Sequence, residues 1–110
     1  MTEAQMIAVN DEELVEVRRI LRENLPGWEV RAFGSRVTGQ AKSWSDLDLV
    51  VMAPARIHWN ELGRVKEVFQ ESDLPFRVEL LDWNDLSPAF QAVIAQGYAV
   101  VQPSSFTLTA

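Results

Sequence analysis

The chain has 110 residues, of which 47% are hydrophobic, which suits one compact domain with a single core. It contains no cysteine, so disulfides and thiolate metal sites are excluded, and a metal would need oxygen ligands or the single histidine, His58. The formal net charge of −6 argues against broad binding to DNA, RNA or anionic membranes, because such binding depends on Lys and Arg contacts with phosphate.

The first residues lack the basic start and the continuous apolar run of a signal peptide. No stretch approaches the roughly 20 apolar residues that a membrane span needs. We therefore expect a soluble cytoplasmic protein with a single domain over residues 1–110, whose ends at about 1–9 and 103–110 are loose.

The first half of the chain predicts two helices and two strands. Asn10 and Glu13 form a plausible capping pair for a helix from about 11 to 23, which has an apolar stripe at helical spacing. Alternation over 28–33 predicts a strand with one buried face, and Gly34-Ser35 follows it. A short helix is expected over 36–40. The segment 47–52 is then so apolar that it predicts the central strand of the sheet.

The second half continues the alternation of helices and strands. Apolar residues at helical spacing predict a helix that starts near Trp59 and ends before the break at 73–75, and His58 is interpreted as its cap or as a surface residue. A strand over 76–81 and a helix entered through Ser87-Pro88 follow, with Gly97 as a candidate left-handed cap. A last short strand is expected over 98–101. The order favours an α/β or α+β domain, in which helices flank one small sheet.

Two aspartates at the start of the central strand indicate a metal site. Asp46 and Asp48 are two residues apart, so an extended strand places them on the same face, where their carboxylates repel. Magnesium relieves that repulsion, because it binds oxygen ligands and takes one or two carboxylates together with substrate phosphates. Glu79 in the next strand is the candidate third carboxylate. Asp82 competes with it, but it lies on the opposite face and is more easily explained as an exposed turn residue.

The Gly34-Ser35 pair is a candidate phosphate-binding turn. Glycine allows the backbone to approach a phosphate closely, and the Ser35 hydroxyl and the following amides can donate to phosphate oxygens. Arg36 and Lys42 are the nearest cations for the same nucleoside triphosphate, although a solvated surface role is the simpler interpretation of Lys42. Each feature alone is weak, and their combination favours nucleotide chemistry.

Together these motifs resemble a known family. FGSRVTG at 33–39 and SDLDLVV at 45–51, followed by a carboxylate strand, resemble the signature of the nucleotidyltransferase superfamily related to DNA polymerase beta. They are more closely similar to its minimal members, the MntA-like (MNT) antitoxins that accompany HEPN toxins. The resemblance covers about 30–81. It departs from the family at Thr38, where minimal members usually carry arginine, and at Glu79, where they usually carry aspartate.

The resemblance implies a fold, a reaction and a partner. The fold is the polymerase-beta-like nucleotidyltransferase fold, with a small mixed sheet. The implied reaction transfers AMP from ATP, with two Mg²⁺ ions held by Asp46, Asp48 and Glu79, to a tyrosine of a HEPN-type toxin, which would silence the toxin and form a hetero-oligomer with it. Two alternatives remain open: an antitoxin that acts by contact alone, and nucleotidyl transfer to a small molecule or RNA.

The tryptophans bear on the contact-only alternative, since aromatic side chains often anchor interfaces. Trp59 continues a helical stripe, so we expect it to pack in the core. Trp44 lies in the loop beside the aspartate pair and is the better candidate for contact with a base or a partner.

Overall fold

The computed structural model describes residues 7–105. They form four α-helices, one 3₁₀ turn and four strands. In chain order these are α1 (Asp11–Asn24), β1 (Val30–Phe33), α2 (Ser35–Thr38), β2 (Leu47–Val51), α3 (Trp59–Gln70), β3 (Val78–Asp82), the 3₁₀ turn (Trp83–Asp85), α4 (Pro88–Ala95) and β4 (Ala99–Gln102). No helix within this part of the chain is long and apolar enough to cross a membrane.

The sheet is mixed, and its strands are ordered β3-β2-β1-β4. β1 pairs antiparallel with both β2 and β4, whereas β2 and β3 are parallel and are joined through α3. β2 therefore lies in the interior of the sheet, as its apolar sequence predicts. The α/β fold class with a small mixed sheet and flanking helices is confirmed.

Helix caps set the start of the long helices. The Asn10 side chain accepts from the Glu13 amide while the Glu13 carboxylate accepts from the Asn10 amide, so the predicted capping pair begins α1. His58 caps α3 by accepting from the Asn60 amide, and Ser87 caps α4 by accepting from the Phe90 amide. Both cap predictions are confirmed.

The two faces of the sheet are covered by hydrophobic cores of different size. α1 and α3 cover one face and bury the larger core, which includes Val17, Ile20, Leu21, Leu49, Val51, Val65, Phe69 and Leu80. The other face has a smaller buried cluster, formed by Phe33, Val50 and Ile94 of α4. Asp48 and Glu79 lie on this less covered face, because strand alternation places them with Val50 rather than with Leu49 and Leu80. The sheet thus presents these carboxylates where they remain accessible.

Two local predictions are wrong. Trp59 is 78% exposed, because it is the first residue of α3 and precedes the buried stripe, and it stacks on His58 instead of entering the core. Gly97 has no positive φ, and α4 ends at Ala95 with Gln96 as its C-cap in a right-handed conformation.

The predicted loose ends lie partly outside the described residues. Residues 7–9 and 103–105, which are described, are attached to the domain. The Ala8 amide donates to the Arg36 carbonyl, and the Ser105 amide donates to the Gly27 carbonyl. Ile7 and Val9 also pack against the larger core. The folded part of the domain therefore starts earlier than the sequence predicts.

Candidate active site

The three predicted carboxylates lie at one end of the sheet on one face. The parallel register pairs Asp48 of β2 directly with Glu79 of β3, so their side chains are neighbours on the same face. Asp46 precedes Asp48 by two residues, and both Asp46 and Glu79 act electrostatically on Asp48. Asp48 also pairs with Phe33 at the end of β1. The turn after β1 therefore meets Asp48, near the start of β2.

The surroundings of Asp48 disfavour its charged form. Burial raises the pKa of the Asp48 carboxyl, the negative charges of Asp46 and Glu79 raise it further, and Arg77 opposes them. Asp46 and Glu79 are themselves partly exposed, with side-chain accessibilities of 40% and 39%. A cation bound beside Asp48 would offset the repulsion from its neighbours and the energetic cost of burying its charge.

Arg77 joins two of these carboxylates, a role that the sequence motifs did not predict. Its Nη2 lies 3.1 Å from Glu79 Oε1 and its Nε lies 3.5 Å from Asp46 Oδ2. Within residues 7–105, no three His, Cys, Asp or Glu side chains converge closely enough to hold a metal ion. The only signal for Arg77 in the sequence is its position two residues before Glu79, which places both side chains on the same side of an extended strand.

Gly34 is required by its backbone conformation and by its contact with Asp48. Its φ of +83° and ψ of −157° are accessible to glycine and strained for other residues. A Cβ at this position would overlap the Asp48 carboxylate. The turn continues tightly, because the Val37 and Thr38 amides both donate to the Gly34 carbonyl, and Gly39 ends α2 in the left-handed region. The candidate phosphate turn and the candidate metal ligand are thus in direct contact.

Arg36 does not lie where the sequence analysis placed it. It is buried, and its guanidinium donates to the carbonyls of Ala8, Ser43 and Ser45 at 2.6, 3.2 and 2.9 Å. It also stacks on Phe76, with its Cζ 4.3 Å from the ring centroid. A side chain held by these contacts cannot turn towards a phosphate, so the predicted nucleotide contact of Arg36 is corrected to a structural role: it holds the 43–45 loop in place.

The loop between α2 and β2 carries the other two candidates. A reciprocal turn closes it, in which the Lys42 amide donates to Ser45 Oγ and the Ser45 amide donates to the Lys42 carbonyl. The Lys42 side chain is exposed, and Trp44 is 75% exposed. Both side chains are therefore free to meet a ligand, and Lys42 remains a predicted phosphate contact.

Asp82, the competitor for the third carboxylate, is not exposed as predicted. It is 2% exposed, and its carboxylate accepts from the Ile57 amide at 2.7 Å and from the Asn84 amide at 3.0 Å. β3 extends to Asp82, so its side chain points to the face that α1 and α3 cover. Asp82 anchors the chain before α3, and Glu79 is the carboxylate of β3 that lies beside Asp48.

Comparison with known proteins shows the family to which this chain belongs. The family model described as nucleotidyltransferase domain matches residues 14–100, a range that contains all three carboxylates and the Gly34-Ser35 turn. The chain belongs to the nucleotidyltransferase domain family. It is 43% identical over 108 residues to a Haemophilus influenzae protein named "Probable protein adenylyltransferase MntA", and the match covers 98% of this chain and 95% of that relative.

Solved structures of toxin–antitoxin complexes share the nucleotidyltransferase fold. A mutant MntA complex superposes with a TM-score of 0.67 at 22% identity, and a complex with AMP-PNP with 0.62 at 18%; each match covers 89% of this chain and 77% of that chain. A complex of a tri-AMPylated Shewanella oneidensis HEPN toxin with an MNT antitoxin gives 0.56 at 17%, covering 86% and 73%. At these identities the likeness establishes the fold alone.

Proposed function

We propose that this nucleotidyltransferase is a protein adenylyltransferase, which transfers AMP from ATP to a tyrosine hydroxyl of a HEPN-type toxin and acts as its antitoxin. The observation that carries the proposal is the 43% identity, over nearly the full length of both chains, to a protein named as an adenylyltransferase. The AMPylated HEPN toxin in a complex of the same fold supports the choice of acceptor. The reaction would take place in the cytoplasm, where ATP is available.

In the proposed reaction the tyrosine oxygen attacks the α-phosphorus of ATP. A bond forms between that oxygen and the phosphorus, the bond from the phosphorus to the bridging oxygen breaks, and pyrophosphate leaves. Glu79 takes up the hydroxyl proton, since it is a partly exposed carboxylate beside Asp48. Positioning and charge neutralisation would supply most of the rate enhancement, as in other phosphoryl transfers.

The carboxylates suit Mg²⁺ in their chemistry. Asp46, Asp48 and Glu79 offer only oxygen ligands, and burial together with the negative charges of Asp46 and Glu79 raises the pKa of Asp48, which a bound cation would offset. These three residues would hold the two ions of the proposed site, after Arg77 has released Asp46 and Glu79. Bound magnesium would neutralise phosphate charge and lower the pKa of the attacking hydroxyl.

The triphosphate would bind along the turn after β1. Gly34 brings the backbone close to Asp48, so phosphates held at this turn would also lie beside the metal ligands. The amides of Val37 and Thr38 already donate to the Gly34 carbonyl, so we assign the contacts to the Ser35 hydroxyl and to the Ser35 and Arg36 amides. The exposed Lys42 completes the phosphate site from the loop.

A labelling experiment tests the proposal. The protein, Mg²⁺ and the product of the neighbouring gene are incubated with ATP labelled at either the α- or the γ-phosphate. We expect the α-label on the partner and the γ-label in pyrophosphate, and we expect both to disappear in Asp46→Asn/Asp48→Asn. Asp73→Asn removes an exposed aspartate outside the site and serves as the control. Transfer of the γ-label would indicate a kinase and contradict the proposal.

An antitoxin that acts by contact alone is the second candidate. The exposed Trp44 beside the carboxylates favours it, because a large solvated aromatic side chain is typical of a binding surface. The same experiment separates the two functions. If the partner binds tightly and is neutralised without any label, and if Trp44→Ala abolishes neutralisation, contact alone explains the activity.

A further inference from the structure

Arg77 is the cation that is built into the carboxylate cluster. Its guanidinium spans carboxylates from two strands, with Nε 3.5 Å from Asp46 and Nη2 3.1 Å from Glu79. The backbone fixes its origin, since the Leu47 amide, between Asp46 and Asp48, donates to the Arg77 carbonyl at 2.8 Å. Arg77 therefore starts from a fixed point beside β2, while its side chain is 71% exposed.

The other ion pairs in residues 7–105 do not involve the three site carboxylates. Arg19 pairs along α1, Arg31 pairs with a residue two positions away, and Arg56 pairs with Asp85. Arg77 alone among the described residues compensates the charge of Asp46 and Glu79. Its guanidinium lies between two of the candidate metal ligands.

The candidate phosphate turn is connected to Arg77 through Phe76. The buried Arg36 of α2 stacks on Phe76, and Arg77 is the next residue along the chain. Because the Arg36 guanidinium is held by three carbonyls, it is not available to a ligand. Arg77, by contrast, has an exposed guanidinium at this end of the sheet.

We propose that Arg77 is a positioning residue that acts as an internal counter-ion: it neutralises Asp46 and Glu79 in the metal-free protein and is displaced from them when a divalent cation binds. This inference rests on the proposed metal site, and it makes Arg77 a competitor of the metal ion for Asp46 and Glu79. The exposed pairs are individually weak, so the displacement costs little.

Mg²⁺ binding in the absence of nucleotide tests the proposal. Titration calorimetry compares the full-length protein with Arg77→Gln, which removes the competing charge, and with Arg77→Lys, which keeps it. We expect Arg77→Gln to bind Mg²⁺ about three- to tenfold more tightly, the range that two exposed ion pairs allow, and Arg77→Lys to stay within about twofold of the wild type. Arg56→Gln is the matched control, because Arg56 is equally exposed and pairs with a single carboxylate elsewhere.

Thermal unfolding in EDTA gives a second measurement that does not depend on catalysis. We expect Arg77→Gln to unfold at a lower temperature than Arg56→Gln without metal, and added Mg²⁺ to stabilise it more than it stabilises the wild type. Unchanged or weaker Mg²⁺ binding by Arg77→Gln overturns the counter-ion role, as does equal tightening in Arg56→Gln. If the wild type itself binds no Mg²⁺, the proposed metal site fails, and this inference fails with it.

Discussion

Replacing Gly34 with alanine perturbs the point where the turn after β1 meets Asp48. Its φ of +83° and ψ of −157° lie in a region that is essentially reserved for glycine, where another residue costs about 1–3 kcal/mol. The new Cβ would in addition overlap the Asp48 carboxylate, so Asp48 must move. We expect the free energy of unfolding to fall by about 3 kcal/mol, the upper end of that range, which corresponds to roughly 12 °C in Tm for a domain of this size.

Urea denaturation in EDTA measures this loss against a matched control. Gly39 has a similar φ of +87°, but its ψ is 10° and no atom lies within 4 Å of an added Cβ, so Gly39→Ala should cost only about 1–2 kcal/mol. Asp48→Ala removes the carboxylate and leaves Asp48 Cβ at an ordinary 3.5 Å from the new methyl group. Gly34→Ala should therefore cost less in the Asp48→Ala background. An equal cost in both backgrounds, or a cost no greater than that of Gly39→Ala, would refute the reasoning.

Three further substitutions test the assignments in and around the site. Asp48→Asn should stabilise the metal-free protein at pH 7, because the fold raises the pKa of Asp48 and so disfavours its charge; the gain should shrink as the pH falls through that pKa and vanish below the ordinary value of 3.8. A gain independent of pH in urea denaturation would contradict this. Asp82→Ala should cost about 3 kcal/mol in unfolding free energy, since it leaves buried donors without an acceptor, yet Mg²⁺ affinity measured by calorimetry should persist; loss of that affinity would make Asp82 a metal ligand. Arg36→Lys should cost roughly 2 kcal/mol, because an ammonium cannot serve three carbonyls in a fork. Unchanged stability with tenfold weaker ATP binding would restore Arg36 as a phosphate ligand.

The alternation of strand residues is what made the carboxylate cluster predictable. Asp46 and Asp48 share a face because they are two residues apart, and the apolar character of β2 places it inside the sheet next to β3. The parity of Glu79 and Asp82 allows only one of them on that face, and the parallel register with β2 shows that it is Glu79. The capping pair of α1 is also local, since Asn10 and Glu13 are three residues apart. Short-range patterns of this kind carry over directly from sequence to structure.

The predictions that failed depend on contacts between distant parts of the chain. Arg36 reaches the carbonyl of Ala8, 28 residues earlier, and the Asp82 carboxylate accepts from the Ile57 amide, 25 residues away. Neither partner has a side-chain signature, because both are backbone groups. The prediction that Trp59 is buried was wrong for a different reason. In the first turn of α3, helical spacing alone does not decide whether a side chain reaches the core. Arg77 was missed because an exposed arginine looks the same in sequence whether or not it spans two carboxylates.

AMP transfer to a tyrosine changes the mass of the acceptor protein, so this mass is the decisive measurement. Mass spectrometry of the neighbouring gene product, after incubation with this protein, ATP and Mg²⁺, should show the addition of one or more AMP groups, and peptide fragmentation should place them on tyrosine. The added mass should be absent with Asp46→Asn/Asp48→Asn and present with Asp73→Asn. An acceptor of unchanged mass that nevertheless forms a complex with the wild-type protein, or AMP addition that survives the double substitution, would contradict the account.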